Sequence, residues 1–123
     1  MKLIIAGSRS ITDINTVVKA LYGFNIKHKD VEEIVSGGAK DVDKLGERIA
    51  RSNKINVKIF KADWDKYGKK AGYLRNKKMG KYADTLLAVW DGESKGTRHM
   101  IDIMKRLNKT VYVYNQKDDP NET

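Results

Sequence analysis

Five short apolar runs, Leu3–Ala6, Val31–Val35, Val57–Phe60, Thr85–Trp90 and Val111–Tyr114, recur at strand length with helical patterns filling the intervals between them. That alternation restricts the possible folds more than any other feature of the chain. Nearly continuous apolar strands are buried on both faces, and a parallel pair needs a crossover, usually a helix. Between the first two runs, Ile14, Val17, Val18, Leu21 and Tyr22 keep the rhythm of an amphipathic helix, opened by Thr12 or Asp13 as its cap. Val42, Leu45, Ile49 and Ala50 repeat it after the second run. A third helix is predicted over 71–82, and a fourth, capped by Thr97, carries Met100, Ile101, Met104 and Leu107. The order β-α-β-α-β-α-β-α-β predicts an α/β fold over residues 1–114: a single Rossmann-like three-layer domain, its five-stranded parallel sheet covered by helices on both faces. Residues 115–123 are polar, hold the only Pro and are expected to form a flexible C-terminal tail.

Among 123 residues, 25 Lys and Arg stand against 16 Asp and Glu, a net charge of +9 that favours anionic partners without choosing among polynucleotides, nucleotides and acidic surfaces. Without Cys the chain has no disulfide, thiolate zinc site or cysteine nucleophile. Two His, His28 and His99, offer little to a transition metal, so no metal or cofactor is expected. The opening apolar run breaks at Ser8-Arg9, short of a signal-peptide core, and no stretch approaches the ~20 apolar residues that span a bilayer. A cytoplasmic protein with no membrane partner is expected.

In an open parallel sheet, ligands bind outside the carboxyl ends of the strands, where the strand order reverses. Three loops there carry Gly and hydroxyl residues: Gly7-Ser8-Arg9-Ser10 after the first strand, Ser36-Gly37-Gly38-Ala39-Lys40 after the second, and Asp91-Gly92-Glu93-Ser94-Lys95-Gly96-Thr97 after the fourth. Gly admits close approach or positive φ, and the amides of a following helix N-terminus attract an anion. Each loop alone needs such residues for tight geometry and capping whether or not anything binds. Three converging on one edge point to a phosphate site. Neither dinucleotide-fingerprint nor P-loop spacing is present, which argues against hydride transfer and ATP hydrolysis.

Asp41 and Asp43 begin the helix after the second loop. Asp41 reads as a cap; Asp43 reads equally as an acceptor for a ribose hydroxyl or for backbone amides. The stretch from Lys61 to Lys70 is long for a strand-to-helix connection and is expected to be functional. From Lys61 to Lys81, Lys61, Lys66, Lys69, Lys70, Arg75, Lys77, Lys78 and Lys81 face only Asp63 and Asp65. Most read as a solvated face, but Arg75 can clamp a phosphate with two parallel bonds. Trp64, Tyr67 and Tyr73 lie nearby, suited to stacking on a base or to packing.

Taken together, Ile5-Ala6-Gly7-Ser8-Arg9, Ser36 to Asp43, Ala62-Asp63-Trp64, Ala71 to Asn76 with Met79, and Trp90 to Thr97 resemble the SLOG superfamily, the Rossmann-like group that includes Lonely Guy proteins and DprA. The likeness is greatest to its short YspA-type, cpYpsA-related branch and covers nearly everything before the tail. The resemblance implies a nucleotide or NAD-derived small molecule lying across the strand ends, its phosphate near Gly96 and Thr97 and its sugar near the first two loops. The ligand-binding set is then Gly7, Ser8, Arg9, Ser36, Gly37, Gly38, Ala39, Asp43, Arg75, Asn76, Asp91, Ser94, Gly96 and Thr97.

A sensor, a scavenger and an N-glycosidase-like hydrolase all fit that expectation. Lonely Guy enzymes cleave the bond between base and ribose phosphate with a Glu in the helix after the Gly-Thr turn and an Arg upstream. Arg75 matches the Arg, but Met100 stands where the Glu is expected, which favours binding over turnover. Arg75, Asp43 and Asp91 remain the catalytic candidates. DprA-like relatives hold single-stranded DNA along this edge, so a single-stranded nucleic-acid binder is the alternative. Asp41 replaces the Gly usual in that turn, adding a negative charge beside the site. Related folds are often dimers, and a homodimer is expected.

Overall fold

In the computed structural model, which describes residues 1–39 and 41–116, the strands are β1 (Lys2–Gly7), β2 (Glu33–Ser36), β3 (Asn56–Ile59), β4 (Thr85–Trp90) and β5 (Thr110–Asn115). The helices are α1 (Ile14–Gly23), α2 (Val42–Ser52), α3 (Trp64–Tyr67), α4 (Ala71–Tyr82) and α5 (Lys95–Arg106). All five strands pair in parallel in the order β3-β2-β1-β4-β5. The chain builds outward from β1 through β2 to β3, then returns past β1 to lay down β4 and β5. The reversal of order therefore falls between β1 and β4.

Successive side chains alternate across the sheet, and the two faces collect separate cores. Leu3, Ile5, Ile34, Leu87 and Val89 pack under α1 and α2, against Val17, Ala20, Leu45 and Ile49. Ile4, Val35, Leu86 and Ala88 face α4 and α5, against Met79, Met100, Ile103 and Met104. This is the expected three-layer α/β architecture. Gly80 brings α4 and α5 together: a Cβ there would sit 2.6 Å from Ile103 Cγ2. Where α4 ends, the Lys109 ammonium donates to the carbonyls of Gly80 (2.6 Å), Lys81 (3.0 Å) and Ala83 (2.6 Å), satisfying acceptors that the last helical turn leaves unpaired.

Several boundaries differ from expectation. Of the two candidate caps of α1, Asp13 acts, accepting the Asn15 amide at 2.9 Å. Helix α5 starts earlier than expected: Ser94 is its cap, accepting the Thr97 amide at 3.4 Å, and Thr97 is a buried residue of the first turn whose hydroxyl donates back to Ser94 Oγ at 3.1 Å. The 61–70 connection contains α3, opened by the Asp63 carboxylate on the Lys66 amide, and a 3₁₀ turn over Gly68–Lys70. Asn115, assigned to the tail, pairs opposite Trp90 in the last strand; residues 117–123 lie outside the described residues. Among the described residues no helix is long and apolar enough to cross a membrane.

Candidate ligand-binding site

A cavity of about 500 Å³ opens at the carboxyl ends of the strands, where the order reverses. The first loop reaches it because residue 7 is Gly: a Cβ there would run into the Val89 carbonyl oxygen and lie 2.8 Å from Val42 Cγ2. Ser8 is buried; its amide donates to the Val89 carbonyl at 3.1 Å and its hydroxyl accepts the Asp91 amide at 3.0 Å. Ser8 thus ties the first loop to the third. Exposed Arg9 and Ser10 line the cavity.

The second loop is held from below. Ser36 Oγ donates to Glu47 Oε2 at 2.8 Å and accepts the Gly38 amide at 3.1 Å, while Gly38 takes a φ of 69°. Glu47 is 1 % exposed, with Lys44 at 3.5 Å and Arg51 at 3.6 Å. Asp43, two-way on sequence grounds, accepts the Ala39 amide at 3.0 Å, so a backbone role is in place. Burial pushes its carboxyl above the usual range; the Ala39 amide and the Arg75 guanidinium pull the other way. Asp41 occupies the cap position of α2 but makes no side-chain cap bond, with φ 66° and ψ −116°, a conformation that suits Gly.

Helix α4 delivers Arg75 into this loop. Its Nη1 donates to the Gly37 carbonyl at 3.0 Å, and its Nε lies 3.4 Å from Asn76 Oδ1. Gly37 leaves room beneath it: a Cβ there would stand 3.1 Å from Arg75 Cζ and 3.0 Å from Asp43 Oδ2, tighter than ordinary contact. Since Arg75 engages the Asn76 oxygen, the Asn76 amide nitrogen is turned toward the Gly96 carbonyl at 3.5 Å and His99 Nδ1 at 3.2 Å. Burial and neighbouring Lys77 lower the His99 pKa, favouring the neutral ring whose Nδ1 accepts that bond.

The third loop is organised by Asp91. Its Oδ1 accepts the amides of Glu93 (2.8 Å) and Ser94 (2.9 Å), and its Oδ2 accepts the Ser10 hydroxyl at 3.1 Å. The two amides hold its pKa down to about 2, with the Ser8 and Ser10 hydroxyls adding to the effect. Gly92 supplies the positive φ of this turn, 86°. Gly96, in the first turn of α5, has open space where a Cβ would project, so the helix amides there are approachable.

Of the residues singled out in the sequence, Gly7, Arg9, Gly37, Ala39, Asp43, Arg75, Asn76, Asp91, Ser94, Gly96 and Thr97 line this one cavity. Ser8, Ser36 and Gly38 do not line it; they hold the loops that do. Lys69, Gly72, Met79 and Met100 line it as well. Met79, quoted in the family-like motif, and Met100, which keeps the helical period and stands where the Lonely Guy Glu is expected, are 2 % exposed each and line the buried side of the cavity. Trp64 and Tyr73 stand at its rim, while exposed Tyr67 lies outside it. Asp43 and Asp91 give the site two carboxylates shifted in opposite directions, both occupied by backbone amides. No group of three or more His, Asp or Glu suited to hold a metal occurs among the described residues.

No solved structure matches the chain. It is 39% identical over 122 residues to the Gene 61 protein of Mycobacterium phage D29, covering 94% of this chain and 98% of that protein. The YAcAr family, described as the YspA, cpYpsA-related SLOG family, matches residues 1–67, a span that takes in the first two loops and Trp64. On the family match, which spans more than half of its residues, the chain belongs to the YspA, cpYpsA-related SLOG family.

Proposed function

We propose that the protein binds a nucleotide or NAD-derived phosphate ester across the carboxyl ends of β1, β2 and β4, as a sensor or scavenger. The observation that carries this reading is a single cavity at the reversal of strand order that gathers Arg75, Arg9, Lys69 and the open first turn of α5. A guanidinium beside exposed helix amides suits a phosphate, and membership of a SLOG family agrees with a nucleotide-related ligand. Binding is preferred to hydrolysis because Met100 closes the floor where Lonely Guy enzymes place a Glu, and because Asp43 and Asp91 are engaged in holding loops.

Thermal denaturation with AMP, ribose 5-phosphate, ADP-ribose and NAD tests the proposal. A ligand at 100 times its Kd is expected to add about 2.7 kcal/mol. An unchanged melting temperature with all four refutes it, and release of free base from AMP, followed by chromatography, would transfer the reading to a hydrolase. One observation favours a second reading. Trp64, Tyr67 and Tyr73 are exposed on the same stretch as Lys66, Lys69, Lys70, Lys77 and Lys78, a combination that suits single-stranded nucleic acid. That reading requires a mobility shift at low salt that fades steeply as salt rises.

A further inference from the structure

Trp64 opens a four-residue helix, α3. The indole is 56 % exposed, yet it lines the cavity, and its tip is seated on α4 at Gly72. The point where a Gly72 Cβ would lie is 3.3 Å from Trp64 Cη2 and 3.9 Å from Arg75 Nη2. The tip of the indole and the guanidinium therefore lie no more than about 7 Å apart, on either side of Gly72. A Cβ at position 72 would press on the edge of the ring and shift it by a few tenths of an ångström. One turn of the same helix also carries Tyr73 at the cavity rim; it is 46 % exposed and braced edge-on by the His99 ring at 4.6 Å between centroids. Two large aromatic surfaces are left partly to water at the mouth of the cavity. They are suited to a planar partner that arrives with a ligand.

We infer that Trp64, seated on Gly72, is the base-recognition platform of this site: the ligand carries a purine or pyrimidine that stacks on the indole while its phosphate ester engages Arg75. This rests on the proposed phosphate-binding reading and adds to it the requirement for a base. A sugar phosphate without a base would occupy the anion end alone. Stacking is tolerant of base identity, so affinity for AMP, GMP, CMP and UMP is expected to fall in one band, set apart from ribose 5-phosphate.

Calorimetric titration of the full chain with ribose 5-phosphate and with the four nucleoside monophosphates tests the inference. A stacked base is worth roughly 5- to 150-fold in affinity, the conversion of its usual alanine-scan range. Trp64→Ala is expected to remove that advantage while leaving ribose 5-phosphate binding unchanged, Trp64→Phe to restore part of it, and Gly72→Ala to reduce it by displacing the ring. Circular dichroism melts confirm that each variant is folded, as the exposure of Trp64 leads one to expect. Equal affinities for ribose 5-phosphate and the nucleotides, or a Trp64→Ala loss shared by every ligand, would overturn the base platform and leave phosphate binding standing. Failure of all five ligands to bind the unaltered protein would overturn the phosphate-binding reading itself, and this inference with it.

Discussion

Replacing Arg75 by Met removes the bond from Nη1 to the Gly37 carbonyl and the positive charge beside Asp43, while keeping a long apolar stem over Gly37. A hydrogen bond involving a charged group contributes about 1.5–3 kcal/mol, and the half-buried position of Arg75 favours the lower end. With an unfolding entropy of about 2.1 cal/mol/K per residue, 1.5 kcal/mol corresponds to a fall in Tm of about 6 °C for a chain of 123 residues. The loss must depend on pH. Asp43 has a folded-state pKa above its ordinary 3.8, so between those two values the native state binds more protons than the unfolded one, and stability declines as pH rises. Arg75 limits that rise by favouring the carboxylate. Without it the folded-state pKa moves higher still, the declining limb extends to higher pH, and Arg75→Met costs more at pH 7 than at pH 4. Adding Asp43→Asn should abolish the difference, since no titrating group is left beside residue 75. Thermal melts of the wild type, both single variants and the double variant at the two pH values are the assay. A loss of equal size at both pH values, or a pH dependence that survives Asp43→Asn, would refute the coupling on which the electrostatics of the site depend.

Two further predictions concern stability alone. Asp41→Gly should stabilise the fold by about 1 kcal/mol, or about 4 °C in Tm, because relief of a strained backbone, of about 1–3 kcal/mol, exceeds the entropic cost of Gly, while Asp41→Ala keeps the strain and should gain nothing; comparing the two melts decides it. Lys109→Met should cost about 2 kcal/mol by stripping the donor from three carbonyls at the end of α4, and should leave ligand affinity unchanged because Lys109 sits at the opposite edge of the sheet, as melts and titrations on the same variant would establish.

The elements that the sequence reveals best are those buried on both sides. β1 and β4 read as continuous apolar runs, and α4 begins and ends where its pattern does, at Ala71 and Tyr82. Errors arise where burial and hydrogen bonding part company. Val31 is buried at 8 % but closes a separate 3₁₀ turn over His28–Asp30 through its amide to the His28 carbonyl, so β2 begins only at Glu33. Thr97 and Ser94 are both plausible caps by residue type, and the choice is made by Asp91, which binds the Ser94 amide and fixes the turn. Four residues are too few to show a helical period, so α3 is invisible to periodicity. Glu47 reads as one more polar residue on an amphipathic helix; it is buried because Ser36, from a separate strand, supplies a donor, and nothing local to α2 signals that. The residues that line the cavity were legible because an open parallel sheet concentrates its loops at one edge, a property of topology more than of any motif.

The same loops account for how the proposed anion site accommodates two aspartates. Asp91 spends both oxygens on the third loop and the Ser10 hydroxyl, and Asp43 gives one oxygen to the Ala39 amide while facing Arg75. Their charge is offset by donors within the protein before a ligand arrives. Arg75 uses Nη1 and Nε for Gly37 and Asn76, and Nη2 takes part in neither bond. Gly96 leaves the first turn of α5 uncovered. Exposed Arg9 and Lys69 add further donors to the lining. Preorganised donors bind a phosphate without first rearranging, since the loops that carry them are already held by Ser8, Ser36, Asp43 and Asp91. Removing one of those four by Ala should therefore weaken ligand binding through loop disorder, with the remaining donors still present but no longer aimed at one point.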